Sequence, residues 1–168
     1  MQIRFSGVSS NKLKSRIREA INICADNFFD KRIKRNLKIQ VKMEDLRRHN
    51  ILAEVEVLEH ETIYPREFLI ALNQKQSHYT NILCVMHEMV HLKQFAKAEL
   101  VESARNSKLS KYKGEWVDTS KVNYYDLPWE IEAHGREKGL MLQYIGTGKT
   151  ITKKEKEKWR QKMILRDQ

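Results

Sequence analysis

Nine residues, Cys84-Val85-Met86-His87-Glu88-Met89-Val90-His91-Leu92, set two histidines either side of a glutamate inside an apolar run. On an α-helix, residues four apart return to the same face one turn on, so His87 and His91 can turn their rings toward one cation. Zinc accepts imidazole nitrogen and carboxylate oxygen, and a site that leaves one position to water is the catalytic kind. Water on zinc becomes acidic near neutral pH, and a carboxylate beside it can take the proton and hand it to a leaving group. Glu88 is placed to be that carboxylate. The spacing therefore predicts metal-assisted hydrolysis with Zn2+ as the cofactor.

The pattern is HExxH, the motif of zinc metallopeptidases. In a chain of this composition it arises by chance roughly 2% of the time, so its surroundings must support it. They do: Ile82, Leu83, Val85, Met86, Met89, Val90, Leu92 and Phe95 make the segment apolar on most sides, as a helix buried in a core should be. Two histidines alone hold zinc weakly, so a third protein ligand is expected downstream. The segment Pro128-Trp129-Glu130-Ile131-Glu132-Ala133-His134-Gly135-Arg136-Glu137 offers the candidates Glu130, Glu132 and His134. Glu130 could alternatively orient a histidine from behind.

Elements that position these residues can be read from periodicity. Leu13, Ile17, Ala20, Ile21, Cys24 and Phe28 recur at helical spacing over residues 9–29, with Ser9, Ser10 or Asn11 as the cap. Leu37, Ile39, Val41 and Met43 alternate with polar residues, as do Ala53, Val55 and Val57, and each run predicts a strand with one buried face. Lysines on the first and glutamates on the second are expected to pair across the sheet. Arg47-Arg48-His49-Asn50 reads as the turn between them. Residues 68–73 predict a third strand, whose edge, if free, could hold an extended peptide. The motif helix should run from about residue 79 to 97, capped by Ser77 or Thr80. Beyond it, 114–117 and 122–125 predict a hairpin around Asp118-Thr119-Ser120, or a loop over the cleft. A helix from Trp129 to Tyr144 follows Pro128 and ends at Gly146 and Gly148.

The pair Glu132-Ala133 resembles zincin metallopeptidases of the gluzincin type, in which the third ligand is a glutamate followed directly by alanine on a later helix. That resemblance implies His87, His91 and Glu132 as the ligands. The extended metallopeptidase signature is matched through Leu92, and Lys93 departs from its usual apolar last position. The order of helix, strands, HExxH helix and acidic helix is also similar to small zincins such as the SprT-like and ImmA/IrrE-like proteins and phage relatives. SprT-like enzymes use a third histidine, which would make His134 the ligand here. The resemblance spans about residues 10–145 and implies a peptide or protein substrate.

At 168 residues, with 40% apolar and 32% charged residues, the chain fits one soluble α+β domain over 1–148 followed by a basic tail, 149–168, helical or partly disordered. No run is long enough to span a bilayer and the N-terminus has no apolar signal core, so an intracellular, membrane-free protein is expected. Cys24 and Cys84 read as reduced core thiols. A net charge of +10 raises a second reading, a non-catalytic zinc-stabilised module that binds nucleic acid through a basic surface. The charge concentrates in residues 12–48 and 149–168, where few aromatics interleave with it to stack bases. Gly146-Thr147-Gly148-Lys149-Thr150 lacks the earlier glycine of a phosphate-binding loop. Tyr124, Tyr125 and Tyr144 are candidate oxyanion donors for which packing is the simpler role. Nothing in the sequence specifies an oligomeric state.

Overall fold

The N-terminal helix forms where the apolar period demanded it, and a hydroxyl starts it. In the computed structural model, which describes residues 1–46 and 51–165, α1 runs Asn11–Phe28, and Ser10 accepts from the Leu13 N–H at 3.2 Å. Its apolar stripe, Ile17, Ala20, Ile21 and Cys24, is fully buried against the sheet and a central helix. The short α2 (Lys31–Asn36) then leads into the strands. The predicted turn at 47–50 lies outside the described residues.

Four strands make a mixed sheet in the order β1 (Gln2–Ser6), β2 (Lys38–Glu44), β4 (Glu67–Asn73), β3 (Ala53–Val57). The first three pair in parallel and β3 pairs antiparallel to β4. Sequence periodicity anticipated three of these strands and missed β1. The third predicted strand, β4, sits between β2 and β3 and so has no free edge, and β3 ends the sheet. The expected lysine–glutamate pairing of β2 with β3 is therefore replaced. Lys38 of β2 meets Glu67 of β4 at 2.5 Å, and Lys42 pairs with Glu44 of its own strand at 2.7 Å.

One face of the sheet carries Ile39, Val41, Phe68, Ile70 and Leu72, all at most 1% exposed, beneath α1 and α3 (His78–Ala96). Each such aliphatic or aromatic side chain contributes roughly 1.5–3 kcal/mol through burial. The helix α3 is wrapped on most sides by α1, β3, β4 and α4 (Pro128–Thr147). This explains why its sequence is apolar all round rather than striped.

A second, antiparallel sheet, β5 (Leu100–Glu102), β6 (Leu109–Tyr112) and β7 (Glu115–Asp118), replaces the predicted hairpin. Its tight turn is Lys113-Gly114, both with positive φ (47° and 99°), the geometry of a two-residue hairpin loop. Residues 124–126 form a 3-10 turn instead of a strand. Leu100 and Tyr112 of this sheet pack with Leu127 and Trp129, which fixes the start of α4 against the end of α3.

The basic C-terminal segment is helical: α5 spans Lys153–Leu165 and buries Trp159 and Met163 in the same core as the rest of the chain. Arg16, only 2% exposed, ties α1 to it, donating to Glu155 at 2.6 Å and to the Thr150 carbonyl at 3.3 Å. Neither cysteine is in a disulfide; Cys24 is buried and Cys84 half-buried. Among the described residues no helix is long and apolar enough to cross a membrane.

Candidate metal centre

His87 and His91 lie on the flank of α3 that faces the first turn of α4. Their Nε2 atoms are 3.0 Å apart, and the Glu130 carboxylate closes a triangle, with Oε2 3.4 Å from His87 Nε2 and Oε1 3.4 Å from His91 Nε2. Donors bonded to a tetrahedral zinc at about 2.0–2.1 Å stand about 3.3–3.4 Å apart, which the two histidine–carboxylate separations match and the 3.0 Å between the two nitrogens falls a little short of. Glu130 is 5% exposed, and its Oε2 is buried without a hydrogen-bond partner. A buried carboxylate oxygen left unpartnered is costly, and a cation would satisfy it.

The opposite nitrogens are held from behind. His87 Nδ1 is 3.0 Å from Glu137 Oε2, and His91 Nδ1 is 2.9 Å from Gln94 Oε1. Gln94 in turn donates to the Trp129 carbonyl at 3.0 Å. With Nδ1 donating on each ring, the Nε2 lone pairs point into the triangle, the arrangement by which outer partners orient metal-binding histidines. Neither Glu137 nor Gln94 was singled out by the sequence reading, though helical spacing marks both. Glu137 lies seven residues after Glu130 and Gln94 three after His91, each on the same helix face.

Glu132, the preferred third-ligand candidate, is not among the residues whose donor atoms converge with His87 and His91. Two residues along a helix is a rotation of about 200°, so Glu130 and Glu132 leave α4 on opposite sides. Glu132 Oε1 accepts from Lys93 at 2.8 Å and from Arg136 at 2.8 Å, while its Oε2 accepts from Tyr112 at 2.7 Å and from Gln94 at 3.2 Å. These partners hold it well below the usual carboxylate range against the opposing effect of burial. His134 does not reach the triangle. Its side chain is 42% exposed and its Nδ1 is 3.7 Å from Glu137 Oε2. With His87 and Glu137 it forms a second group that could hold a metal, but one in which His134 is exposed and which borrows His87 from the more buried triangle.

Glu88, 6% exposed, lines the same cleft as His91 and Glu130. Burial raises its pKa to about 7, with the neighbouring imidazoles pulling the other way and Glu130 and Glu54 adding to the rise. For His87 burial opposes protonation, but the neighbouring carboxylates of Glu130 and Glu137 outweigh it and bring its pKa to about 10. Two imidazoles surrounded by three carboxylates form a pocket that holds a positive charge. A proton on His87 is one way to supply it and a metal ion is another.

The tyrosines separate. Tyr144 is fully buried and bonds Thr150 at 2.8 Å, and Tyr125 is 72% exposed. The Tyr124 ring borders the cleft, where burial first and then the nearby Glu130 carboxylate push its phenol pKa up. His60 is exposed on a separate cavity beside the cleft, His78 Nδ1 accepts from Arg16 at 2.9 Å, and His49 lies outside the described residues. Compared with known families, curated proteins and solved structures, the chain gives no match in any of the three, so the site is read from its geometry alone.

Proposed function

We propose that the chain is a zinc-dependent peptidase of the zincin type, in which His87, His91 and Glu130 are the ligands and Glu88 is the general base. The observation that carries this reading is the triangle of donor atoms closed by a buried carboxylate, with a second, titratable carboxylate beside it. Zinc bound there supplies Lewis acidity, which polarises a carbonyl and brings the pKa of water near 7.

The chain's own residues do the rest. Glu88 takes the proton of the attacking water as the water oxygen bonds to the peptide carbonyl carbon. It returns that proton to the nitrogen as the C–N bond breaks, and a carboxylic acid and an amine leave. A carboxylate whose pKa sits near 7 suits both halves of this transfer. Phe95, Leu100 and Trp129 give the cleft apolar walls.

Substrate backbone has a natural partner in β3. Leu52 and Leu58 bond Asn73 and Glu67 of β4, so by alternation Ala53, Val55 and Val57 turn their N–H and C=O groups to the open edge beside the metal cluster. An extended peptide can add to this edge as another strand. The test is digestion of a denatured protein mixture by the zinc-loaded chain, with new termini identified by mass spectrometry. Glu88→Gln should keep its zinc and lose cleavage, and a variant as active as wild type would remove Glu88 from its role.

A second reading rests on α5, which exposes Lys153, Lys154, Lys158, Arg160 and Lys162 around its buried seam. Such a face can bind a polyanion without regard to sequence. Salt-dependent DNA binding by Glu88→Gln, together with no proteolysis by wild type, would favour it over the peptidase.

A further inference from the structure

Charge is distributed against the average. The chain has 32 Lys and Arg against 22 Asp and Glu, yet among the described residues lining the metal cleft and the cavity next to it there is no lysine or arginine. That neighbouring cavity, of about 440 Å³, lies between the loop after β3 and strand β5, and it shares Phe95, Leu100 and Glu102 with the cleft. Its walls include Val57, Ile63, Pro65, Phe95 and Leu100, and three carboxylates, Glu59, Glu61 and Glu102, stand on it. One oxygen of Glu59 accepts the Arg66 backbone N–H at 2.7 Å, while Glu61 and Glu102 are exposed.

We propose that this cavity is a specificity pocket for a lysine or arginine side chain, so that the cleft takes cationic peptide segments. The inference rests on the peptidase reading for its place in the reaction, but it concerns binding. An apolar wall with carboxylates on it matches a side chain with a methylene stem and a cationic head. Strand geometry puts the pocket in reach. Val55 borders the metal cleft and Val57 borders the pocket, and a strand rises roughly 7 Å over two residues. A peptide laid along the open edge of β3 with its scissile bond at the triangle therefore brings a side chain about two positions away to the pocket. The three carboxylates of the pocket set a negative field there. Low-dielectric walls focus that field toward an approaching cation, while the basic remainder of the surface repels it.

The experiment measures binding and cleavage on the full chain. Zinc-loaded Glu88→Gln is titrated, at about 0.1 M ionic strength, with an Arg- and Lys-containing decapeptide and with its citrulline and norleucine counterpart. Wild type is assayed on the same pair. The cationic peptide should bind on the order of ten-fold or more tightly than the neutral one, and Glu61→Lys with Glu102→Lys should erase or invert the preference. Both residues are exposed, so the double variant should keep its fold, which circular dichroism checks. Equal affinity for the two peptides, or a preference untouched by the double reversal, overturns the pocket. If the preference is present but wild type cleaves neither peptide, the peptidase reading falls and the cationic pocket stands.

Discussion

Lys93 Nζ lies 2.8 Å from Glu132 Oε1, in a pair that is 6% and 11% exposed at its two side chains. Lys93 also meets Glu99, and Glu132 gathers Gln94, Tyr112 and Arg136 around it. The acidic residue that sequence motif favoured as a metal ligand is thus the anchor that fastens α4 to the end of α3 and to β6. The basic residue that departs from the motif at position 93 is its partner. Together they hold the two helices at the separation that brings Glu130 to the histidines.

Removing that anchor should cost stability and spare the metal. Glu132→Gln leaves Lys93 with Glu99 alone in a largely buried place, and breaking a buried pair costs about 3–5 kcal/mol when no partner remains. With one partner retained, a loss of about 2 kcal/mol is expected by urea unfolding. Bound zinc should stay at one per chain. Loss of zinc without loss of stability would return Glu132 to the ligand set.

Glu137 should tune the site without belonging to the triangle. Its carboxylate orients His87 through Nδ1 at 3.0 Å, and partners of that kind typically change metal affinity by about 10–100-fold. Glu137→Ala should therefore still bind one zinc when saturated, with affinity lowered by that factor in a chelator competition. A variant as tight as wild type would show that His87 needs no such support.

The legibility of this chain follows the range of the forces involved. α1, β2, β4, α3 and α4 each bury one face or all faces over five residues or more, β3 half-buries one, and their periods are written in Leu, Ile, Val and Phe. β1 offers only Ile3 and Phe5 for a pattern, and the β6–β7 turn uses a lysine at positive φ where asparagine or aspartate would have announced it. His87, Glu88 and His91 were legible because one helix sets their relation. The carboxylate that closes the triangle was not, because Glu130 and Glu132 differ only in which neighbour each faces, and Lys93, Tyr112 and Gln94 decide that through contacts distant in sequence. Position seven before Glu137 was the available clue.

The open edge of β3 yields a substitution that touches substrate more than fold. Ala53 directs its N–H outward, so Ala53→Pro removes no bond of the β3–β4 ladder. It deletes one donor to a bound peptide, worth about 1 kcal/mol, which is about a five-fold fall in kcat/KM. The melting temperature should move by no more than a few degrees. Unchanged kinetics on extended peptides would place the substrate elsewhere.

Acid should loosen α5 before it unfolds the body. Glu155 accepts from Arg16 first of all, and from the Thr152 N–H, and these hold its carboxyl below the ordinary 4.5. A depressed carboxylate pKa stabilises the docked state above the ordinary value and is lost as pH falls through the lowered one. Hydrogen exchange over residues 153–165 should therefore rise below about pH 4.5, and the rise should be weaker in Glu155→Gln, whose docking is already reduced at neutral pH. Uniform protection in wild type between pH 6 and pH 3.5 would argue that the Arg16–Glu155 pair does not hold the helix.

The most direct test of the central claim is metal content by elemental analysis of wild type, Glu130→Ala and Glu132→Ala, each shown folded by circular dichroism and dialysed against the same zinc buffer. Wild type and Glu132→Ala are expected to carry one zinc per chain and Glu130→Ala close to none. Zinc retained by folded Glu130→Ala at the wild-type level would contradict the assignment of His87, His91 and Glu130 as the metal centre.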